Sequence, residues 1–241
     1  MIVIGLVAVG LLAGELYSRH RAESVVAAAT ECMVQDKASV SFGATPFLLQ
    51  LATGHYRNIS VHTAGNRIGN AQGMKADVRI DDVRLDGDGD AVGTLGALDA
   101  MITWSADGMK QSIQEAISPL RGLVTGVQTN PDDGTLKLQG NLGGVTTRPR
   151  ATDGRVALQV VDVTGLGLLL PSGTVQSALD AFTTRLTENY PVDIHADSVQ
   201  VTDDGVTAHY SSRGTSIPRD DQSNQGNQGS KDNQDSCFAN L

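Results

Sequence analysis

Aromatic residues are scarce in this chain: four Phe, four Tyr and one Trp make up 4% of its 241 residues. Its core must be built from Val, Leu, Ile and Ala, and it offers few rings on which a base, a sugar or a planar cofactor could stack. Basic charge is short as well. Eighteen Lys and Arg face 27 Asp and Glu, a formal net charge of -9, so the concentrated positive surface that neutralises nucleic-acid phosphates is missing and nucleic acid is excluded as a partner. Cysteine is limited to Cys32 and Cys237, with no Cys-x-x-Cys and no adjacent His cluster. That removes a zinc site and a dithiol redox pair; a single disulfide in an oxidising compartment remains open, although the spacing does not require it. Repeated long apolar spans are absent, which excludes a multi-pass membrane protein. With 40% hydrophobic residues the chain is nevertheless too apolar for disorder, and its length accommodates one large domain or two small ones.

Catalytic templates are missing too. There is no GxSxG, no HExxH, no GxxxxGK[ST], and no GxGxxG between a strand and a helix. Asp86, Asp88 and Asp90 have the one-three-five spacing of a calcium loop, but Ala91 and Ala97 stand where the turn Gly and the closing Glu belong, so a solvated acidic turn is expected. His55 and His62, seven apart on a strand pattern, fall on opposite faces and cannot share a metal. His195 and His209 could face each other across a hairpin, without a third ligand nearby. The expectation is a protein with no catalytic residues, no metal and no cofactor.

What the chain does contain begins with an uncharged run, Ile2 to Gly14 (IVIGLVAVGLLAG), ended by Glu15. It is shorter than the roughly 20 residues of a membrane-spanning helix and within the range of a signal-peptide core. No Lys or Arg precedes it and no good small-x-small cleavage pair ends it. The expectation is an uncleaved anchor (1–14) whose basic flank lies upstream, with a cleaved signal as the alternative; the body would then sit at the outer, periplasmic face of the plasma membrane, anchored or secreted.

Helix formers continue from Glu15 to about Gln35, with Val25, Val26, Ala29 and Met33 at three- and four-residue steps. A short strand (ASVSFG) and a short apolar helix opened by Pro46 and stopped at Gly54 follow. Alternation predicts strands at His55 to His62 and through GMKADVRIDDVRLDG, the latter slipping phase at Asp81 to Asp82 as at a bulge. Further strands are expected at Met101 to Trp104, Leu123 to Gln128, Leu136 to Gly140, Val145 to Arg150 and Val156 to Val163. Helices are expected at about Ala106 to Leu120, interrupted early by Gly108, and at Val175 to Glu188. A hairpin, Val192 to Thr202 and Val206 to Ser211, turns at Asp203-Asp204-Gly205. Strands in consecutive runs with few helices describe an α+β antiparallel architecture. From Thr215 the chain is rich in Gln, Asn, Ser and Gly, and a disordered tail (215–241) is expected after a domain of 15–214.

Two aliphatic runs border turns: Phe47, Leu48, Leu49 and Leu51 after Pro46, and Leu166, Leu168, Leu169 and Leu170 in GLGLLL before Pro171. Such runs either plug a core or rim an apolar groove. The block TPFLLQLATGHYRNISVH, with Pro46-Phe47-Leu48 followed by Gly54-x-Tyr56 and an alternating strand, resembles the signature of the LmeA-type phospholipid-binding family of actinobacterial cell envelopes. The resemblance spans residues 15 to 213, including MKADVRIDDVRL and the closing VDIHADSVQVTDDGVTAHY. It implies a single-domain tubular lipid-binding (BPI-like) fold, with a strongly twisted antiparallel sheet wrapped around a long helix and an apolar cleft for acyl chains. It further implies a non-enzymatic phospholipid-binding protein, with anionic phosphoinositides as ligands and a part in lipoglycan (lipomannan) maturation. On this reading Phe47, Leu48, Leu51, Leu166, Leu168 and Leu169 line or rim the cleft, and Arg57 or Arg79 meets the headgroup phosphate. A structural envelope protein whose cleft is filled by its own side chains is the alternative, and an envelope hydrolase a remote third.

Overall fold

The computed structural model describes residues 2–85, 91–116, 124–141, 143–165, 172–187 and 194–218. The chain order is α1 (Ile2–Val34), β1 (Ala38–Phe42), α2 (Phe47–Thr53), β2 (His55–Tyr56), β3 (Ile59–Thr63), β4 (Arg67–Ile68), β5 (Ala71–Gln72), β6 (Met74–Arg84) and β7 (Ala91–Ser105). It continues with α3 (Ala106–Ala116), β8 (Val124–Asn130), β9 (Thr135–Gly140), β10 (Gly143–Thr152), β11 (Arg155–Thr164), α4 (Ser172–Thr187), β12 (His195–Val201) and β13 (Gly205–Pro218). A seven-stranded sheet has the order β1-β3-β6-β7-β13-β12 with β2 also on β6; a four-stranded sheet runs β11-β10-β9-β8; β4 and β5 form a small hairpin. Neighbours are antiparallel wherever the register is defined, as the consecutive strand runs predict.

Two compact units divide the chain. The first holds Met1–Ala64, Asp77–Leu98 and Arg213–Leu241, the second Gly65–Ala76 and Asp99–Ser212. In the first unit, Ala29, Val40, Phe42, Phe47, Leu95 and Leu98 are buried. The apolar run and the amphipathic segment predicted after it are one 33-residue helix, α1, about 50 Å long at 1.5 Å per residue. Among the described residues no helix is long and apolar enough to cross a membrane. The strand expected at His55 to His62 is two strands, broken where Asn58 takes a left-handed φ of 54° and gives its N–H to Asp81. The predicted slip in β6 is real: Asp82 also turns left-handed, φ 57°.

In the second unit, Ala71, Ala100, Met109, Leu136, Val145, Ala196, Ala208 and Tyr210 are buried. Both edges of the four-stranded sheet are closed by glutamine side chains from helices. Gln114 of α3 donates to Val124 O on β8 at 2.7 Å. Gln176 of α4 accepts from Val160 N–H at 2.8 Å and donates to Leu158 O at 2.9 Å on β11, so the helix stands where another strand would pair. The last hairpin forms as predicted, but its register pairs His195 with Ser211 and Ser198 with His209. The two histidines therefore do not face each other; a register shift between Ala196 and Ser198 separates them, and His209 lies between Asp99 (2.7 Å) and Asp197 (3.1 Å). β13 continues to Pro218, so residues 215–218, assigned to a disordered tail by composition, extend a strand whose backbone bonds do not depend on apolar side chains. Residues 219–241 and the acidic 86–90 turn lie outside the described residues.

Gly108 does not interrupt α3. It sits in the first turn of the helix because the backbone of Gln72 and Gly73 passes against it: a Cβ there would collide with Gln72 O and lie 2.7 Å from Gly73 Cα. Ser112, one turn on, accepts the Gln72 N–H at 2.8 Å, and Trp104 Nε1 donates to Gln72 O at 2.8 Å. Propensity alone makes Gly108→Ala a gain of about 1 kcal/mol. Overpacking against fixed backbone opposes it, and the substitution is expected to lower stability by about 1–3 kcal/mol in urea denaturation; a gain would show that α3 can move away from β5.

Candidate functional site

In the first unit, α1 meets the free edge of β1 through a ladder of charged side chains at steps of four, four and eight residues. Glu31 accepts the Ala38 N–H at 3.2 Å. Glu23 accepts the Phe42 N–H at 3.4 Å. Arg19 donates to the carbonyls of Phe42 (3.3 Å), Gly43 (2.8 Å) and Thr45 (2.8 Å). Glu15, paired with Arg19 at 3.7 Å, receives the N–H groups of Phe47 and Leu48, the first two residues of α2. Pro46 has no side chain to cap that helix, and Glu15 supplies the missing acceptor from another element.

α1 therefore meets β1 through charged residues. The side of the helix turned to the sheet carries Glu15, Arg19 and Glu23, while Leu11, Leu12, Leu16, Tyr17, Val26 and Met33 are exposed. Of the predicted apolar stripe only Ala29 is buried. The reason is the neighbour: a strand edge presents unpaired N–H and C=O groups, which polar side chains satisfy and Val or Met cannot.

The predicted site residues separate into different roles. Phe47 is buried in a ring cluster with Phe42, 5.0 Å between centroids, and Tyr56 at 6.2 Å. Leu48 is half-buried, whereas Leu51 is 55% exposed, and its neighbour Leu49 56%. Gln50, between them, is buried; it donates to Thr45 O and accepts the Arg57 N–H, both at 2.9 Å. The α2 segment thus keeps one aromatic and one polar anchor inside and turns two leucines outward, while packing against α1. Arg57 is exposed and donates to His55, which is bonded to Asp82. Arg79 is exposed on β6, opposite Ser60. Leu166, Leu168 and Leu169 lie outside the described residues.

A groove that the sequence reading did not anticipate lies in the second unit. It has a volume of about 490 Å³ and is lined by Pro131, Asp133 and Gly134 of the β8–β9 turn, Arg148, Pro149 and Arg150 of β10, and Val199, Gln200 and Val201 of β12. The alternation of β10 that predicted a strand also places Arg148 and Arg150 on one face, which was the available signal. Among the described residues no group of three or more His, Cys, Asp and Glu could hold a metal.

Comparison with known proteins adds a family. The model described as LmeA-like phospholipid-binding matches residues 9–211. Uncharacterized proteins of Mycobacterium bovis and of two strains of Mycobacterium tuberculosis are each 50% identical to this chain over 220 residues, 90% of this chain and 63% of theirs. The chain therefore spans somewhat under two thirds of the length of these curated relatives. No solved structure matches it.

The α1 ladder carries a pH dependence. The N–H groups of Leu48 and Phe47 hold the Glu15 carboxyl below its ordinary value of 4.5, with Arg19 adding to the effect, and the Ala38 N–H with Lys37 does the same for Glu31. A lowered folded-state pKa contributes stability above the unfolded value that is lost as pH falls through the folded one. Thermal melting followed by circular dichroism should therefore decline between about pH 5 and about pH 3. Glu15→Gln should melt lower at neutral pH and lose less on acidification; a parallel decline in the two proteins would remove Glu15 from the account.

Proposed function

This chain belongs to the LmeA-like phospholipid-binding family, and on that premise we propose that it is a non-enzymatic phospholipid-binding protein of the cell envelope that holds acyl chains against an aliphatic surface. The observation that carries the reading is the family match, which runs through nearly all the described structure. The family's description names binding and not catalysis. The aliphatic surface of the first unit supports it: Leu11, Leu12 and Leu16 of α1 and Leu49 and Leu51 of α2 are all exposed on two packed helices. Soluble surfaces seldom leave so many large apolar side chains together, and each CH₂ removed from water is worth about 0.8 kcal/mol, so acyl chains need no polar chemistry to be held.

The finer features belong to the same proposal. They are a twisted sheet wrapped about a long helix with an acyl-chain cleft, a preference for phosphoinositides, a part in lipomannan maturation, and a place at the outer face of the plasma membrane with the N-terminal run as tether. An oxidising location is supported by Cys32, which is disulfide-bonded. The net charge of -9 opposes docking to an anionic membrane by overall attraction, which leaves apolar contact as the means of attachment. A structural envelope protein without a lipid ligand is the second reading, favoured by one observation: Phe47, a proposed cleft residue, is packed by Phe42 and Tyr56 of its own chain.

Native mass spectrometry of protein purified without detergent should show retained phospholipid, and consistent recovery of lipid-free protein would favour the structural reading. The double substitution Leu49→Asp and Leu51→Asp should reduce lipid retention at least fivefold with little change in melting temperature, because both side chains already face solvent. Unchanged retention would take α2 out of the binding surface.

A further inference from the structure

The groove in the second unit is unlike the aliphatic surface of the first. Its most basic wall is β10, where Arg148 and Arg150 stand on one face two residues apart, Arg148 half-buried and Arg150 exposed. Among the described residues neither guanidinium has a carboxylate within ion-pair distance. Among the described residues the one polar contact that either makes is from Arg148 to the backbone carbonyl of Asp133, at 3.3 Å, which holds the side chain against the turn. The acidic group in the lining, Asp133, is engaged by Asn130 Nδ2 at 2.8 Å. Register extends the basic character: Arg148 is paired with Gln159, Thr152 with Arg155, and Thr146 with Lys137, so Lys137 and Arg155 share the face of the two arginines. In a chain of net charge -9, two uncompensated arginines at the wall of a groove are a local reversal of sign.

We propose that this groove binds a phosphate ester of a small polyol, with Arg148 and Arg150 on the phosphate and Gln200 and the 131–134 turn on the hydroxyl-bearing part. Arginine suits the phosphate because its planar fork offers paired N–H donors and keeps its charge at any physiological pH. About 490 Å³ accommodates a group of that size but not a pair of acyl chains, and only Pro131, Pro149, Val199 and Val201 of the lining are apolar. The phosphate ester could be a free metabolite or the headgroup of a lipid; the chemistry recognised is the same. This inference rests on the groove alone and holds whether or not acyl chains bind the first unit.

The test titrates the full chain by calorimetry with glycerol 3-phosphate, and by vesicle flotation with phosphatidylcholine vesicles with and without phosphatidylglycerol. The variants are Arg150→Gln, the pair Arg148→Gln and Arg150→Gln, and Arg213→Gln as an exposed arginine of the other unit. At least one of the two probes, glycerol 3-phosphate or phosphatidylglycerol vesicles, should bind; the double variant should weaken that binding at least tenfold, Arg150→Gln at least threefold, and Arg213→Gln not at all. The Arg150 side chain is exposed and has no hydrogen bond or ion pair among the described residues, so its single substitution decides the matter if the double variant is unstable. Loss confined to phosphatidylglycerol vesicles assigns the groove to a lipid headgroup; loss with glycerol 3-phosphate assigns it to a soluble ester as well. Equal binding by wild type and both variants, or no binding of either probe by wild type, overturns the proposal. Lipid retention in native mass spectrometry is read separately, so a wild-type protein that binds glycerol 3-phosphate yet carries no lipid would refute the lipid reading and leave this one standing.

Discussion

Each open edge of a β-sheet leaves a row of backbone N–H and C=O groups that must find partners, and at three edges of this protein helices carry side chains that meet them. The Glu15, Arg19, Glu23 and Glu31 ladder of α1 serves β1, Gln114 of α3 serves β8, and Gln176 of α4 serves β11. An unpaired strand edge invites pairing with other chains, and covering it with a helix is one of the few general remedies. Where a helix usually buries apolar residues against a sheet face, these helices present polar groups to a sheet edge. Each therefore has to hold its hydrogen-bonding residues at a spacing that matches the strand.

Aliphatic residues are left exposed on the first of these helices. Leu11, Leu12, Leu16 and Tyr17 of α1 are outside. The same helix also fixes α2, since Glu15 accepts the N–H groups of Phe47 and Leu48; with Phe47 and Gln50 committed inward, Leu49 and Leu51 face out. One side chain, Glu15, thus both pairs with Arg19 and anchors α2.

Much of the fold was legible in the sequence because it rests on local periodicity. The alternation in MKADVRIDDVRL predicted β6 with its irregularity at Asp82, and the turn at Asp203-Asp204-Gly205 predicted the hairpin of β12 and β13. The PFLLQLATG block predicted α2 and its left-handed stop at Gly54. Less legible was anything set by a distant neighbour. Gly108 read as an interruption because nothing local shows that Gln72 passes against it, and Val26 and Met33 read as a buried stripe because periodicity reports which residues share a face and not what the face meets. Arg148 and Arg150 were visible as alternate residues of a strand, but the groove also needs a turn at 131–134 and residues 199–201.

By itself the sequence determined the antiparallel α+β class, the aliphatic character, the poverty of rings and basic charge, and the family, because composition and short-range pattern are properties of the chain before it folds. Only the tertiary structure decided which of those residues are available. It placed Phe47 inside and Leu51 outside within one short helix, turned the charged side of α1 inward, and gathered two arginines at the wall of a polar groove. The physical reason is that burial and pairing depend on what approaches from far along the chain: a carboxylate is a surface charge or a helix cap according to whether two backbone N–H groups arrive beside it.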